Sequence, residues 1–102
     1  MDIKEAQKNV ATHLKKIGYD KIETTPVHAF LHLVEEIGET SRTILYQEIK
    51  RNSVVNQSQP HGFEEELADI FWQTLKLAEY SGIDLEEAFL KKLQKNKQKS
   101  TI

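Results

Sequence analysis

Leu33-Val34-Glu35-Glu36-Ile37-Gly38-Glu39 and Glu65-Glu66-Leu67-Ala68-Asp69-Ile70 are the two stretches on whose reading the fold turns. Each sets a carboxylate pair at a three-residue step, Glu36 with Glu39 and Glu66 with Asp69. On a helix that step puts both side chains on one side, roughly 5–6 Å apart at Cβ. At about 100° per residue the members of a pair stand roughly 60° apart. Leu33 and Ile37 border the first pair and Ile70 borders the second, so both pairs flank an apolar stripe rather than opposing it. Two such helices packed together gather four carboxylates in a small volume, which desolvation and mutual repulsion oppose. A hard divalent cation removes that objection, and Mg²⁺ is the usual occupant where a phosphate must also be held. The spacing therefore predicts a metal site made by Glu36, Glu39, Glu66 and Asp69, against the competing reading of solvated outer-face acids.

The rest of the chain organises around these two helices. Ile3, Ala6, Val10, Leu14 and Ile17 recur at steps of three and four, a first helical stripe that ends before Gly18. Tyr19 to Thr25 reads as a connection. Thr25-Pro26 opens the second helix, with threonine as N-cap and proline at the first helical position. This helix carries Phe30, Leu33, Val34, Ile37, Ile44 and Leu45 on one face and runs to about Ile49. Asn52 to Gly62 is polar, aperiodic and contains Pro60, and reads as a loop. A third helix starts near Phe63 on three glutamates, charges that suit a helix N-terminus. Its expected buried stripe is Leu67, Ile70, Phe71, Thr74, Leu77 and Ala78. Ser81-Gly82 breaks the chain, and Asp84 with Glu87 forms a capping box for a fourth helix whose apolar face is Leu85, Ala88, Phe89 and Leu93. The expectation is a single all-α domain of four helices spanning residues 1–102.

Composition narrows the function. With 38% hydrophobic and 29% charged residues, each helix has a narrow apolar face, and a chain of 102 residues builds only a modest core. Such domains often complete that core by homo-oligomerising. The formal net charge of −2 gives no global attraction for a nucleic acid polymer. Cysteine is absent, which excludes a disulfide framework, a thiolate zinc site and a cysteine nucleophile. No apolar run approaches the roughly 18 residues of a membrane span, and the N-terminus lacks the apolar core of a secretory signal; the default expectation is a cytoplasmic protein.

Oxygen-only ligation favours Mg²⁺, with Mn²⁺ as substitute, over iron or zinc. Di-iron bundles place Glu-x-x-His on two helices, and neither pair here has histidine at that position. His28 and His32 lie one and two turns upstream of Glu36, as transition-metal ligands, substrate contacts or ordinary packed residues. Trp72 is a base-stacking candidate or, more in keeping with its type, part of a helix interface. Gln73 and Asn56 are weak candidates for base contact. Lys92, Asn96 and Lys99 share one face of the fourth helix at steps of four and three, either as a grip on phosphate or as a solvated basic end.

Three motifs in order resemble the MazG-type all-α nucleoside triphosphate pyrophosphohydrolases. They are Glu35-Glu36-x-x-Glu39, then Glu66-x-x-Asp69 after 26 intervening residues, then Lys92-x-x-x-Asn96-x-x-Lys99. The resemblance covers roughly Phe30 to Lys99 and includes Ser81-Gly82-Ile83-Asp84-Leu85-Glu86-Glu87-Ala88. It departs from the pattern where Ser100-Thr101 replaces a common Tyr-Pro, and in lacking aromatic signatures before the first motif beyond Tyr19. What it implies is Mg²⁺-dependent hydrolysis between the α and β phosphates of a nucleoside triphosphate, giving monophosphate and pyrophosphate. It further implies a homodimer or homotetramer, a metal set of Glu36, Glu39, Glu66 and Asp69, and phosphate contacts from Lys92, Asn96 and Lys99. Glu35, spare beside the cluster, is a candidate general base or an ordinary surface glutamate. Alternative functions are phosphoribosyl-ATP pyrophosphohydrolase, with the same fold and reaction type, and a non-catalytic helical interaction module.

Overall fold

Asp2 sets the start of the first helix: its side chain accepts a hydrogen bond from the Glu5 backbone N–H at 2.7 Å. The helix, α1, runs Ile3–Lys16 and ends before Gly18, whose φ of 78° favours a residue without Cβ. A 3₁₀ turn at Tyr19–Lys21 follows, then α2 (Pro26–Arg51), α3 (Phe63–Tyr80) and α4 (Leu85–Lys99). The computed structural model describes residues 1–51 and 62–99, the side chains of 49–51 excepted, and no strand occurs among the described residues. The expected all-α, four-helix architecture is therefore what the chain adopts. The expected loop lies outside the described residues except for Gly62, as do Asn56, Ser100 and Thr101.

Local signals place the helix starts as the sequence predicts. The Thr25 hydroxyl accepts from the His28 backbone N–H at 3.2 Å, capping α2 one residue before Pro26. At the last connection, Gly82 has a φ of 67°, and Ile83 N–H returns to the Ala78 carbonyl at 2.9 Å, closing α3. Asp84 then accepts from Glu87 N–H at 3.2 Å as the cap of α4. The Glu87 carboxylate is engaged with Lys91 at 2.9 Å. Gln7, buried on α1, locks this corner: its amide donates to Glu79 at 3.1 Å and to the Ile83 carbonyl at 2.8 Å, and accepts from Leu85 N–H at 3.2 Å.

α3 is the central element, packed along α2 on one side and α1 on the other, while α4 packs on α1. The apolar core lies between α1 and α3, where Val10, Leu14 and Leu75 are buried with Ile3, Ala6, Tyr19, Trp72, Tyr80 and Leu85 around them. The α1 stripe is thus in place, Ile17 excepted, which is exposed.

The expected α2 stripe is largely exposed, with Leu33 half-buried, and the expected α3 stripe is buried in part: Ala78 is buried and Ile70, Thr74 and Leu77 are half-buried. Phe30, Val34, Ile37, Ile44 and Leu45 on α2, and Leu67 and Phe71 on α3, are exposed, as are Phe89 and Leu93 on α4. What α2 buries is Ala29, Thr40 and Thr43; what α3 buries includes Glu66, Gln73 and Lys76. The seam between the two helices is polar, and the exposed apolar residues face outward because nothing among the described residues lies opposite them. A radius of gyration of 17.0 Å against about 13 Å for a compact domain of this length fits such an open arrangement. Among the described residues, no helix is long and apolar enough to cross a membrane.

Truncating the α1–α3 core has a direct readout. We expect Leu14→Ala to lower unfolding free energy by about 2–4 kcal/mol in urea titration, as for other buried leucines.

Candidate metal centre

α2 and α3 present their polar seam at steps of three and four: Ala29, His32, Glu36, Thr40 and Thr43 on one side, Glu66, Asp69, Gln73 and Lys76 on the other. Glu66 sits in the first turn of α3, where a negative charge suits the helix dipole, and is only 2% exposed. Thr43 on α2 donates its hydroxyl to Glu66 Oε1 at 3.1 Å and so fixes the carboxylate plane. Carboxylate oxygens of Glu36, Glu39 and Glu66 lie within 4.8 Å of one another. Asp69, half-buried one turn along α3 from Glu66, is close enough for its charge to act on Glu36. The two predicted pairs are thus brought together, three of the four acids within one tight group.

Two buried acceptors there lack partners. Glu36 Oε2 and Glu66 Oε2 are shielded from solvent and make no hydrogen bond. The Glu36 carboxyl is pushed up from the usual glutamate range, first by burial and then by the charges of Glu39 and Asp69. These observations fit a hard divalent cation. The donors are all oxygen, two of them idle, and ligands on opposite sides of such an ion stand about 4–5 Å apart.

Beside the acids lies a second cluster that the sequence reading did not assemble. Lys76 is only 1% exposed, and its ammonium donates to Glu23 Oε2 at 3.0 Å and to His32 Nδ1 at 2.9 Å. Burial pushes the Glu23 carboxyl up, but the donors around it, Lys76 foremost, outweigh this and hold it below the usual range. Tyr19 stacks under Lys76, 5.3 Å from ring centroid to Nζ, and its hydroxyl is pushed up by burial and by Glu23. His32 joins the two clusters, with Nε2 3.7 Å from Glu36 Oε1. A signal was present: Lys76 is the one charge between Asp69 and Glu79 in a run otherwise dominated by apolar residues, two turns from Asp69 on the same face.

The remaining candidates separate. His28 is exposed and does not share the engagement of His32. Glu35 is exposed, one turn from Glu39, with its charge felt at Tyr19. Trp72 is half-buried against the core with His13 edge-on at 5.6 Å, the interface role favoured from sequence. Gln73 is buried, and with Tyr19, His32, Trp72 and Lys76 it lines a slot of about 200 Å³ at the lysine end of the seam. Lys92, Asn96 and Lys99 are exposed on α4, whose packing partner is α1 rather than the acid-bearing pair.

The class the fold and site define is an all-α chain with a carboxylate cluster between two helices, a geometry that could hold a divalent cation. The profile of the MazG nucleotide pyrophosphohydrolase domain matches residues 24–101, and the chain belongs to that family. No curated protein matches it. Family membership implies a nucleotide pyrophosphohydrolase, a nucleotide substrate and dependence on a divalent metal.

The raised Glu36 carboxyl has a definite sign. A carboxyl that holds its proton more tightly when folded makes stability fall as pH rises from the ordinary glutamate value through the raised one. We therefore expect Glu36→Gln to raise the melting temperature of the metal-free protein near neutral pH and to remove most of the stabilisation that Mg²⁺ gives the wild type. Differential scanning calorimetry with and without Mg²⁺ measures both effects.

Proposed function

We propose that this chain is an Mg²⁺-dependent nucleoside triphosphate pyrophosphohydrolase that cleaves the α–β phosphoanhydride to release a nucleoside monophosphate and pyrophosphate, with Mn²⁺ as a substitute metal. The observation that carries the reading is the pair of buried, idle oxygens on Glu36 and Glu66 within a tight carboxylate group, in a chain of a pyrophosphohydrolase family.

Glu36, Glu39, Glu66 and Asp69 are the residues that would hold the metal. When bound, a divalent cation neutralises charge on the triphosphate oxygens and makes a coordinated water more acidic. Thr43 keeps Glu66 oriented. The reaction depends chiefly on positioning and charge stabilisation, which a rigid two-helix seam supplies. Glu35, solvent-facing one turn from Glu39, takes the proton of the attacking water as general base. Lys92, Asn96 and Lys99 contact the phosphates; since α4 packs on α1 in its own chain, they do so from a neighbouring copy.

That last role belongs with a homo-oligomer, a dimer or a tetramer. Supporting it are the exposed apolar residues of α2 and α3 and a groove of about 300 Å³ lined by Ile37, Ile44, Leu45 and Ile70. Contiguous apolar surface of this kind marks an interface. Substituting Leu45→Glu is expected to shift the assembly toward monomer in light scattering coupled to size exclusion.

The activity test is incubation with each ribo- and deoxyribonucleoside triphosphate plus Mg²⁺, scored for pyrophosphate, with phosphoribosyl-ATP as a separate arm. Pyrophosphate and monophosphate in equal amounts are expected from at least one triphosphate. Glu39→Ala and Asp69→Ala should each lose at least about 100-fold in kcat/KM, more than the usual cost of disturbing a residue behind the ligands. Release of orthophosphate instead, or turnover unaffected by chelation, would overturn the proposal.

A further inference from the structure

Lys76, Glu23 and His32 meet at one point. Nζ is 3.0 Å from Glu23 Oε2 and 2.9 Å from His32 Nδ1, and the latter two atoms are 3.2 Å apart. An ammonium group has three hydrogens to give and no lone pair to accept. At 2.9 Å from Nδ1 it leaves that nitrogen only one role, acceptor, because a proton on Nδ1 would face the ammonium donor to donor. Lys76 is itself ion-paired with Glu23, a buried carboxylate held below its usual range. The ring proton therefore stands on Nε2, the nitrogen that faces Glu36 Oε1 at 3.7 Å. That is an electrostatic contact longer than a full hydrogen bond. It meets the oxygen of Glu36 opposite the idle Oε2.

We propose that Lys76, anchored by Glu23, is a positioning residue that fixes the His32 tautomer so that Nε2–H faces Glu36 Oε1 and leaves Oε2 free for the cation. The device concerns where a proton sits on a neutral ring, and the ring charge does not change. Remove the ammonium and the nearest partner of Nδ1 becomes Glu23 Oε2, an acceptor at 3.2 Å, which draws the proton to Nδ1 and turns a bare nitrogen toward Glu36. Two like lone pairs then face each other where a donor faced an acceptor. Groups behind the ligands of metal sites act in this way, by fixing tautomer and orientation. The inference rests on the reading of Glu36 as a metal-holding residue. The tautomer can be measured without metal, substrate or turnover.

The experiment is a long-range ¹H–¹⁵N correlation spectrum of the metal-free, full-length protein at mildly alkaline pH, with His32 assigned by the signals lost in His32→Gln. A neutral ring protonated at Nε2 is expected; a ring protonated at Nδ1, or at both nitrogens, overturns the proposal. In Lys76→Met the proton is expected to move to Nδ1, and Mn²⁺ affinity, read by calorimetry, to fall roughly tenfold. Because Lys76→Met strands a buried carboxylate and risks misfolding, Glu23→Gln/Lys76→Met removes both charges together. The double variant is expected to fold and, because the new amide can donate to or accept from Nδ1 and so fixes neither tautomer, to show both ring forms and a smaller loss of Mn²⁺ affinity. Wild-type affinity in the folded variants would overturn the positioning role. Failure of the metal reading itself has a different signature, namely no Mn²⁺ binding to the wild-type chain.

Discussion

The structure depends on a polar seam buried between α2 and α3. Helices of this size ordinarily meet through their apolar stripes, because burying a charge without a partner is costly. Here Glu66 and Lys76, at opposite ends of the seam, are the most deeply buried large side chains among the described residues. The two ends are resolved differently. At the lysine end the protein supplies the counter-charge, since Glu23, Tyr19 and His32 surround the ammonium. At the acid end it supplies more negative charge, and Glu36 responds by holding its proton more tightly. Glu23 and Glu36 are the same residue type and shift in opposite directions, the more deeply buried Glu23 downward and the half-buried Glu36 upward. A cation in reach makes the difference, and among the described residues the acid end lacks one of its own.

That asymmetry accounts for the outward apolar faces. If the seam must be polar, much of the apolar surface of α2 and α3 turns to other sides, where the described residues offer nothing to cover it. Phe30, Val34 and Leu45 on α2 and Leu67 and Phe71 on α3 are left exposed together. The apolar core between α1 and α3 is correspondingly small, centred on Val10, Leu14 and Leu75. Gln7 reinforces it with three hydrogen bonds across the α3–α4 corner rather than with apolar area.

Local features were legible in the sequence wherever the physics is local. Thr25-Pro26, Gly18, Gly82 and Asp84 act through neighbouring backbone, and each does in the structure what its residue type predicts. The acid pairs were legible because a three-residue step leaves little freedom on a helix, and Glu36, Glu39 and Glu66 do converge. The α2 stripe, and Leu67 and Phe71 of the α3 stripe, were misread because periodicity locates an apolar face without saying what lies opposite it. The Glu23–Lys76 pair was missed for another reason. Glu23 sits in a connection without a period, 53 residues from its partner, so only the fold brings the two together. Lys76 alone carried a hint, one cation inside an apolar run.

Seam and outer faces are coupled. Ile37 adjoins Glu36 in sequence and Leu67 adjoins Glu66, so the side chains that hold the acids and those that face outward alternate along the same helical turns. Covering the outer face with a second copy, as in the proposed oligomer, would exclude water from both flanks of the acid group. Lower local dielectric strengthens attraction to a cation and repulsion among the acids alike. The metal-free assembly would then be penalised and the metal-bound assembly favoured, which is the condition for linkage between cation binding and association. A seam stabilised from within would have no such dependence. In the proposed assembly the acids would therefore be what lets metal, association and nucleotide phosphate act on one another through two helices.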